Sequence, residues 1–205
     1  MSARSLRQMA GVAPFLQRGA ALAASKAALL LIDYQMAYRQ GLLALPGEAA
    51  VTGIAVRLRA WAEASGLKVI HVQHAAPAGA PLFAADSPEA AALPEMEPAE
   101  GQTVIAKRLP SAFAGTLLAD ALAGVETVLI AGYMTHNCVD ATARDAFHRG
   151  YRVGVVADAC ATRDLPGIGG AVLPAALVHA AVLAGLGDRI AEIVDLATVQ
   201  AMAVA

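Results

Sequence analysis

Cysteine is almost missing from this 205-residue chain: only Cys138 and Cys160 occur. A pair of thiols makes no disulfide framework, which excludes the small disulfide-stapled scaffolds and fits a reducing, cytoplasmic compartment. Charge is equally sparse. Charged residues make up 16% of the chain, the net charge is -2, and no basic cluster occurs. Neither nucleic acid nor an anionic membrane is therefore the expected partner. No apolar run reaches the roughly 20 residues of a membrane span. The most apolar stretch, 171–187, is interrupted by Pro174 and His179. The phosphate-cradling patterns G-x-G-x-x-G after a strand and G-x-x-x-x-G-K-[ST] are also absent, and Gly167-Ile-Gly-Gly170 does not replace them. A nucleotide-binding enzyme is not indicated.

What remains is an Ala-rich chain, 58% hydrophobic and 4% aromatic, of a length that supports one large core. Such a composition implies helices buried against a sheet or against another subunit. The segment 171–186 offers few polar positions for a water-facing side, so a homo-oligomer, dimer or tetramer, is expected. Residues 1–26 carry Arg4, Arg7, Arg18 and Lys26 without an acidic residue. Arg18 and Lys26 break any signal-peptide core. The expectation is an arm over 1–26 packed on a single domain over 27–205.

Strand and helix patterns alternate along that domain. Ala27-Ala-Leu-Leu-Leu-Ile-Asp33 is a continuous apolar run, the mark of a strand covered on both faces. Val51, Ile54, Ala55, Leu58, Trp61 and Ala62 recur at helical spacing, and Gly66 stops that helix. Further strands are expected over 68–74, 103–107, 127–131, 151–157 and 190–194, with helices over 115–123, from about Cys138 to Gly150, and over 173–186. Between 75 and 101 lies a Pro-, Ala- and Gly-rich connection long enough to wall a pocket. The βαβα order predicts a parallel sheet with helices on both faces, and a ligand site beyond the carboxyl ends of its strands.

Three chemically able residues fall at those ends: Asp33, Lys107 and Cys138. Each has an ordinary structural explanation on its own, as a cap, a solvated strand end or a small core residue. Their shared rim is what points to chemistry. A thiol opening a helix meets the positive end of the dipole, which favours thiolate. A carboxylate can take the thiol proton and return it to a leaving group, and an ammonium stabilises both anions. Such a set performs acyl transfer without histidine. A redox pair of Cys138 with Cys160 would instead require their Cα atoms within about 7 Å.

At Leu30-Leu-Ile-Asp-Tyr-Gln35, Ile105-Ala-Lys-Arg-Leu-Pro-Ser-Ala-Phe113, Ala131-Gly-Tyr-Met-Thr-His-Asn-Cys-Val139 and Asp158-Ala-Cys-Ala-Thr-Arg163, the chain resembles the isochorismatase-like cysteine hydrolases. That family includes nicotinamidases, N-carbamoylsarcosine amidases and ureidoacrylate-type amidohydrolases. The resemblance runs from about Ala27 to Val194. It implies a three-layer α/β/α sandwich around a six-stranded, mainly parallel sheet. It also implies Asp33 as general base and acid, Lys107 as catalytic lysine and Cys138 as nucleophile. A cis peptide bond maps onto Tyr133–Met134, with the backbone N–H groups of Met134 and Cys138 forming an oxyanion hole.

Departures from the family narrow the chemistry. Nicotinamidases carry an Asp-x-His and a further His that bind a metal; His71-Val-Gln-His-Ala-Ala-Pro77 lacks that arrangement. His71 and His74 face opposite sides of a strand, so no metal and no cofactor are expected. Relatives that hydrolyse the vinyl ether of isochorismate lack this cysteine. Its retention favours a small amide, ureide or lactam over a vinyl ether, and its intact triad speaks against a silent, binding-only member. Gln35, Tyr38, His74, Phe83, Phe113, Tyr133 and His136 are the side chains expected to shape the pocket.

Overall fold

The computed structural model describes residues 3–205. Six strands form the central sheet: β1 (Ala27–Ile32), β2 (Lys68–His74), β3 (Thr103–Lys107), β4 (Thr127–Tyr133), β5 (Arg152–Ala161) and β6 (Glu192–Val194). Their spatial order is β3-β2-β1-β4-β5-β6, and every pair is parallel. The sequence runs outward from β1 through β2 to β3, then returns to the far side of β1 with β4. That reversal between β1 and β4 is the crevice where parallel α/β sheets bind ligands.

Every residue of β1 is buried, as its unbroken apolar run requires. Alternation divides the strand between two cores. Leu29 and Leu31 face the helix α1 (Glu48–Ala64) and its buried Ala55, Leu58 and Ala62. Ala28, Leu30 and Ile32 face the opposite layer, where α2 (Asp140–His148) contributes Ala143 and Ala146 and α3 (Ala175–Arg189) contributes Leu183 and Leu186. Each fully buried leucine stabilises by roughly 1.5–3 kcal/mol. The result is a three-layer α/β/α sandwich.

Boundaries move where local chemistry outweighs periodicity. The helix expected over 115–123 shrinks to Leu118–Ala121, because Gly115 and Gly124 both adopt positive φ and confine it. β5 runs on to Ala161 instead of stopping at 157, beyond the register shift that separates Ile130 from Gly132 on β4. The 75–101 connection is no open loop. Two short 3₁₀ turns shape it, and Phe83, Ala84, Leu93 and Met96 are buried in it. On the outer surface Ile168, Val172 and Leu177 are exposed together with one side of α3.

The arm over residues 3–26 is stitched into the domain. Ala21–Leu22 pairs in parallel with Ala203–Val204, and Arg7 meets Glu192 at 2.6 Å. Glu192 also accepts the N–H groups of Phe15 and Leu16. Leu16 lies over Gly154 so closely that a Cβ there would stand 2.1 Å from its methyl carbon.

Gly132 is the tighter constraint. Its φ is 145°, and a Cβ would lie 2.1 Å from the carbonyl oxygen of Ile32, the residue before Asp33. Backbone cannot yield as a side chain does. Gly132→Ala is expected to cost about 3 kcal/mol from overpacking and positive φ together. That corresponds to a fall of roughly 6–12 °C in melting temperature for a domain of this size. Calorimetry checks it, and an unchanged melting temperature would contradict the close approach.

Candidate active site

Strand order places three side chains on one rim in sequence. Lys107 ends β3, His74 ends β2, and Asp33 follows β1; Cys138 stands across the crevice, after β4. Lys107 must reach across the neighbouring strand to meet Asp33, and its four-carbon stem is long enough to do so. Its Nζ lies 2.8 Å from Asp33 Oδ2 and donates to Cys138 Sγ at 3.1 Å. Asp33 is fully buried, Lys107 is 1% exposed and Cys138 3%. The three residues singled out in the sequence thus converge at one dry point.

Asp33 is held there with a left-handed backbone, φ 55°, a conformation non-glycine residues adopt at a cost of order 1 kcal/mol. Its N–H donates to the Val72 carbonyl at 2.8 Å, and its own carbonyl accepts from Gln35 N–H. Cys138 sits in a wide turn over Thr135–Val139 that precedes α2. Asn137 and Val139 both donate their N–H groups to the Met134 carbonyl, so the turn closes around that residue. The Tyr133–Met134 peptide bond is cis.

The charge states differ from the expectation of a resting thiolate. Burial pushes the Cys138 thiol up, the Asp33 carboxylate adds to that push, and the nearby ammonium only opposes it; the result is about 12. The helix-end effect is outweighed because the sulfur is buried beside an anion. Burial likewise raises Asp33 above its ordinary value, against the pull of Lys107. For Lys107 burial alone would favour loss of the proton, yet Asp33 and Cys138 together hold it above its ordinary value. The resting sulfur is therefore a thiol, set beside the Asp33–Lys107 ion pair.

The other expected pocket residues divide. Gln35 is fully buried, and its amide is spent on backbone: Nε2 donates to the carbonyls of His74 and Ala90, and Oε1 accepts His74 N–H at 2.8 Å. Tyr133 is also buried, with its hydroxyl 2.7 Å from Thr52 Oγ1. Both anchor the frame of the site. Phe113 stacks on Tyr151 with ring centres 5.9 Å apart and lies under Arg149. Arg149 caps the end of α2 and Tyr151 precedes β5, at the amino end of that strand, and Phe113 is buried in the core there. Phe83, from the 75–101 connection, lies on the His74 ring at 4.9 Å and on Tyr38 at 5.5 Å. His136 Nδ1 is hydrogen-bonded to Thr162 Oγ1 and turns away from a dyad with Cys138.

Asp33, His74 and Cys138 offer ligand atoms within 4.8 Å of one another, a spacing that suits a metal ion. Lys107 Nζ approaches all three, at 2.8, 3.1 and 3.3 Å. The ammonium is the cation of this cluster. His71 points elsewhere and pairs with Gln102 Oε1 at 2.8 Å.

Arg163 was passed over as a site residue, although it closes a quoted motif. Its Nε is buried with no hydrogen-bond partner, while Nη1 donates to the Asp164 carbonyl. Burial raises Tyr38 and the Arg163 charge opposes it, whereas burial lowers His136 and the same charge adds to that; Tyr38 also feels Asp33 and Cys138. A cation thus borders the site. The sequence signal was the position of Arg163, just past the carboxyl end of β5.

One cavity meets the cluster at Lys107, and a second lies between the end of β5 and α3. The first, of about 240 Å³, is walled by Ala75, Pro77, Ala85 and Lys107. The second, of about 250 Å³, is walled by Val51, Cys160, Thr162 and His179. Both cysteines are free, and Cys160 Sγ donates to the Val156 carbonyl within the core.

Comparison with known proteins agrees with this architecture. Residues 27–197 match the isochorismatase domain family. A secreted isochorismatase effector of Verticillium dahliae is 37% identical over 82% of this chain and 87% of its own length. A maleamate amidohydrolase of Pseudomonas putida is 35% identical over 67% of this chain and 73% of its own. The crystal structure of an isochorismatase from Pseudomonas putida superposes with a TM-score of 0.88 at 34% identity, covering 96% of this chain and 99% of that one. No helix among the described residues is long and apolar enough to cross a membrane.

Proposed function

This chain belongs to the isochorismatase family, and from that premise we propose that it hydrolyses a small C–N substrate, an amide, ureide or lactam, through a thioester on Cys138. The observation that carries the reading is the buried ammonium of Lys107, shared between Asp33 at 2.8 Å and Cys138 at 3.1 Å.

Because the resting sulfur is a thiol, proton transfer accompanies attack. The Cys138 proton passes to the Asp33 carboxylate as Sγ bonds to the substrate carbonyl carbon. Lys107 stabilises the charge as it moves between them. The carbonyl π bond opens to an oxyanion, held by the N–H groups of Met134 and Cys138. As the carbonyl re-forms, the C–N bond breaks, and the protonated Asp33 delivers its proton to the departing nitrogen. Asp33, again a carboxylate, then takes a proton from water. The hydroxide adds to the thioester carbonyl, the C–S bond breaks, and Sγ recovers its proton from Asp33. One water is consumed and the site returns to its starting state. Two buried, unpaired thiols support a reducing, cytoplasmic setting for this chemistry.

The border position of Arg163 favours, within that class, an amide that also bears a carboxylate. A panel pairing neutral amides with carboxylate-bearing analogues tests this by release of ammonia or amine. Arg163→Gln is expected to raise KM about 10–100-fold for the anionic members, the loss of one charge-assisted hydrogen bond, and to leave the neutral ones unchanged. Equal effects on both sets would contradict the assignment. Cys138-independent turnover of isochorismate would instead support the vinyl-ether chemistry.

A further inference from the structure

Besides its ion pair with Asp33 and its hydrogen bond to Cys138, the Lys107 ammonium has a third N–H bond to give. The third points to a residue the chemistry has not employed. Lys107 Nζ lies 3.3 Å from His74 Nδ1, and the strand register makes this contact unavoidable, since His74 and Lys107 are paired neighbours on β2 and β3. The imidazole itself has little freedom. Gln35 fixes both the N–H and the carbonyl of His74, and Phe83 lies on its ring.

We propose that His74 is a positioning residue: a neutral imidazole, protonated on Nε2, whose Nδ1 accepts the third Lys107 N–H and aims the ammonium at Asp33 and Cys138. Lysine is a flexible point charge on a four-carbon stem. Three acceptors in fixed directions convert it into an oriented one. The same contact gives the 75–101 connection a link to the triad, because Phe83 packs on the His74 ring.

The charged groups facing the ring are Lys107 from β3 and Asp33 from the end of β1, with the Cys138 thiol across the crevice; Gln35 and Phe83 are neutral. Burial and the Lys107 charge both hold the imidazole below its ordinary value, and Asp33 opposes them. Acidification through that lowered value places a proton on Nδ1. The acceptor is then lost, and two cations face each other at 3.3 Å. Activity is expected to fall as the pH drops through this point, with protonation of Asp33 as a separate contribution.

The first arm of the test needs no substrate, and so it stands apart from the proposed hydrolysis on which the kinetic arm rests. Long-range ¹H–¹⁵N imidazole spectra of the intact protein, with the His74 signals assigned by their loss in His74→Asn, report tautomer and titration. The expected result is the Nε2–H tautomer near neutrality, titrating below the ordinary histidine value of about 6.5 and moving upward in Lys107→Met. The Nδ1–H tautomer in the unsubstituted protein would overturn the proposal, whatever the variants do. In the kinetic arm, His74→Asn keeps an acceptor near the Nδ1 position but cannot titrate. It should retain kcat near that of the unsubstituted enzyme while the histidine part of the acid limb disappears. His74→Leu should lose about 10–100-fold in kcat with little change in KM. An unchanged acid limb in His74→Asn, or an unchanged kcat in His74→Leu, would overturn it. Hydrolysis absent from the unsubstituted enzyme as well as from the variants, together with the Nε2–H tautomer, would refute the hydrolase reading and leave the positioning contact standing.

Discussion

Cys138→Ala is expected to reduce turnover of any competent amide by about 10⁴-fold or more, because removal of a covalent nucleophile leaves only binding and the oxyanion donors. The loss should appear in kcat, with KM little altered, since Sγ is a single atom against the substrate. Folding should survive. Cys138 is a small buried residue, and its truncation costs on the order of 1–2 kcal/mol. Ammonia release and a melting curve, recorded on the same preparation, separate the two effects. Turnover at the unsubstituted rate would remove Cys138 from the chemistry and leave Asp33 with Lys107 as the only reactive groups.

Lys107→Met carries the second large effect, and it is visible without a substrate. Methionine nearly matches the volume but removes the cation paired with a fully buried carboxylate. Breaking one partner of a buried pair costs about 3–5 kcal/mol. The pH dependence follows from Asp33. Its folded value already lies above the ordinary one because of burial, and loss of Lys107, which lowers it, raises it further. A carboxyl raised in the folded state binds its proton more tightly there than when unfolded. The penalty is absent below the unfolded value, grows as the pH rises from the unfolded value to the folded one, and is complete above it. Lys107→Met should accordingly be nearest to normal stability in acid and most destabilised at neutral and higher pH. Adding Asp33→Asn should restore much of the loss at neutral pH, since no buried charge is then left unpaired. A flat stability difference between acid and neutral pH, or no rescue by the double variant, would mean that the pair is not charged as described. Hydrolysis should fall by about 10²–10⁴-fold in Lys107→Met, the usual range for removal of a group that assists proton transfer.

The parts of this fold that the sequence discloses are those fixed by local pattern. The run Ala27–Ile32 is apolar at every position, which only a strand covered on both faces requires, and Lys68–His74 and Thr103–Lys107 end where their side chains change character. Asp33, Lys107 and Cys138 are conspicuous for the same reason: each is a reactive group at the end of an apolar strand. The strand order is what local pattern does not contain. Only once β2 is known to lie between β1 and β3 does His74 become the residue between Lys107 and Asp33. Side-chain direction is equally hidden. Phe113 and Phe83 look alike as loop aromatics, yet one stacks on Tyr151, just before β5, and the other packs on His74. The protonation of Cys138 is hidden too, because a helix start suggests thiolate, whereas burial beside Asp33 depends on contacts distant in the chain. Arg163 escaped notice since its unpartnered Nε is a property of the folded chain alone.

The most direct test of a thioester on Cys138 is the mass of the enzyme caught at work. The protein would be quenched in acid during turnover of the best substrate in the panel and digested, and the peptide containing Cys138 weighed. The expected result is an added mass equal to the acyl part of the substrate, carried on Cys138, lost on incubation at neutral pH and absent from Cys138→Ala. Steady turnover with Cys138 unmodified, and undiminished in Cys138→Ala, would contradict it.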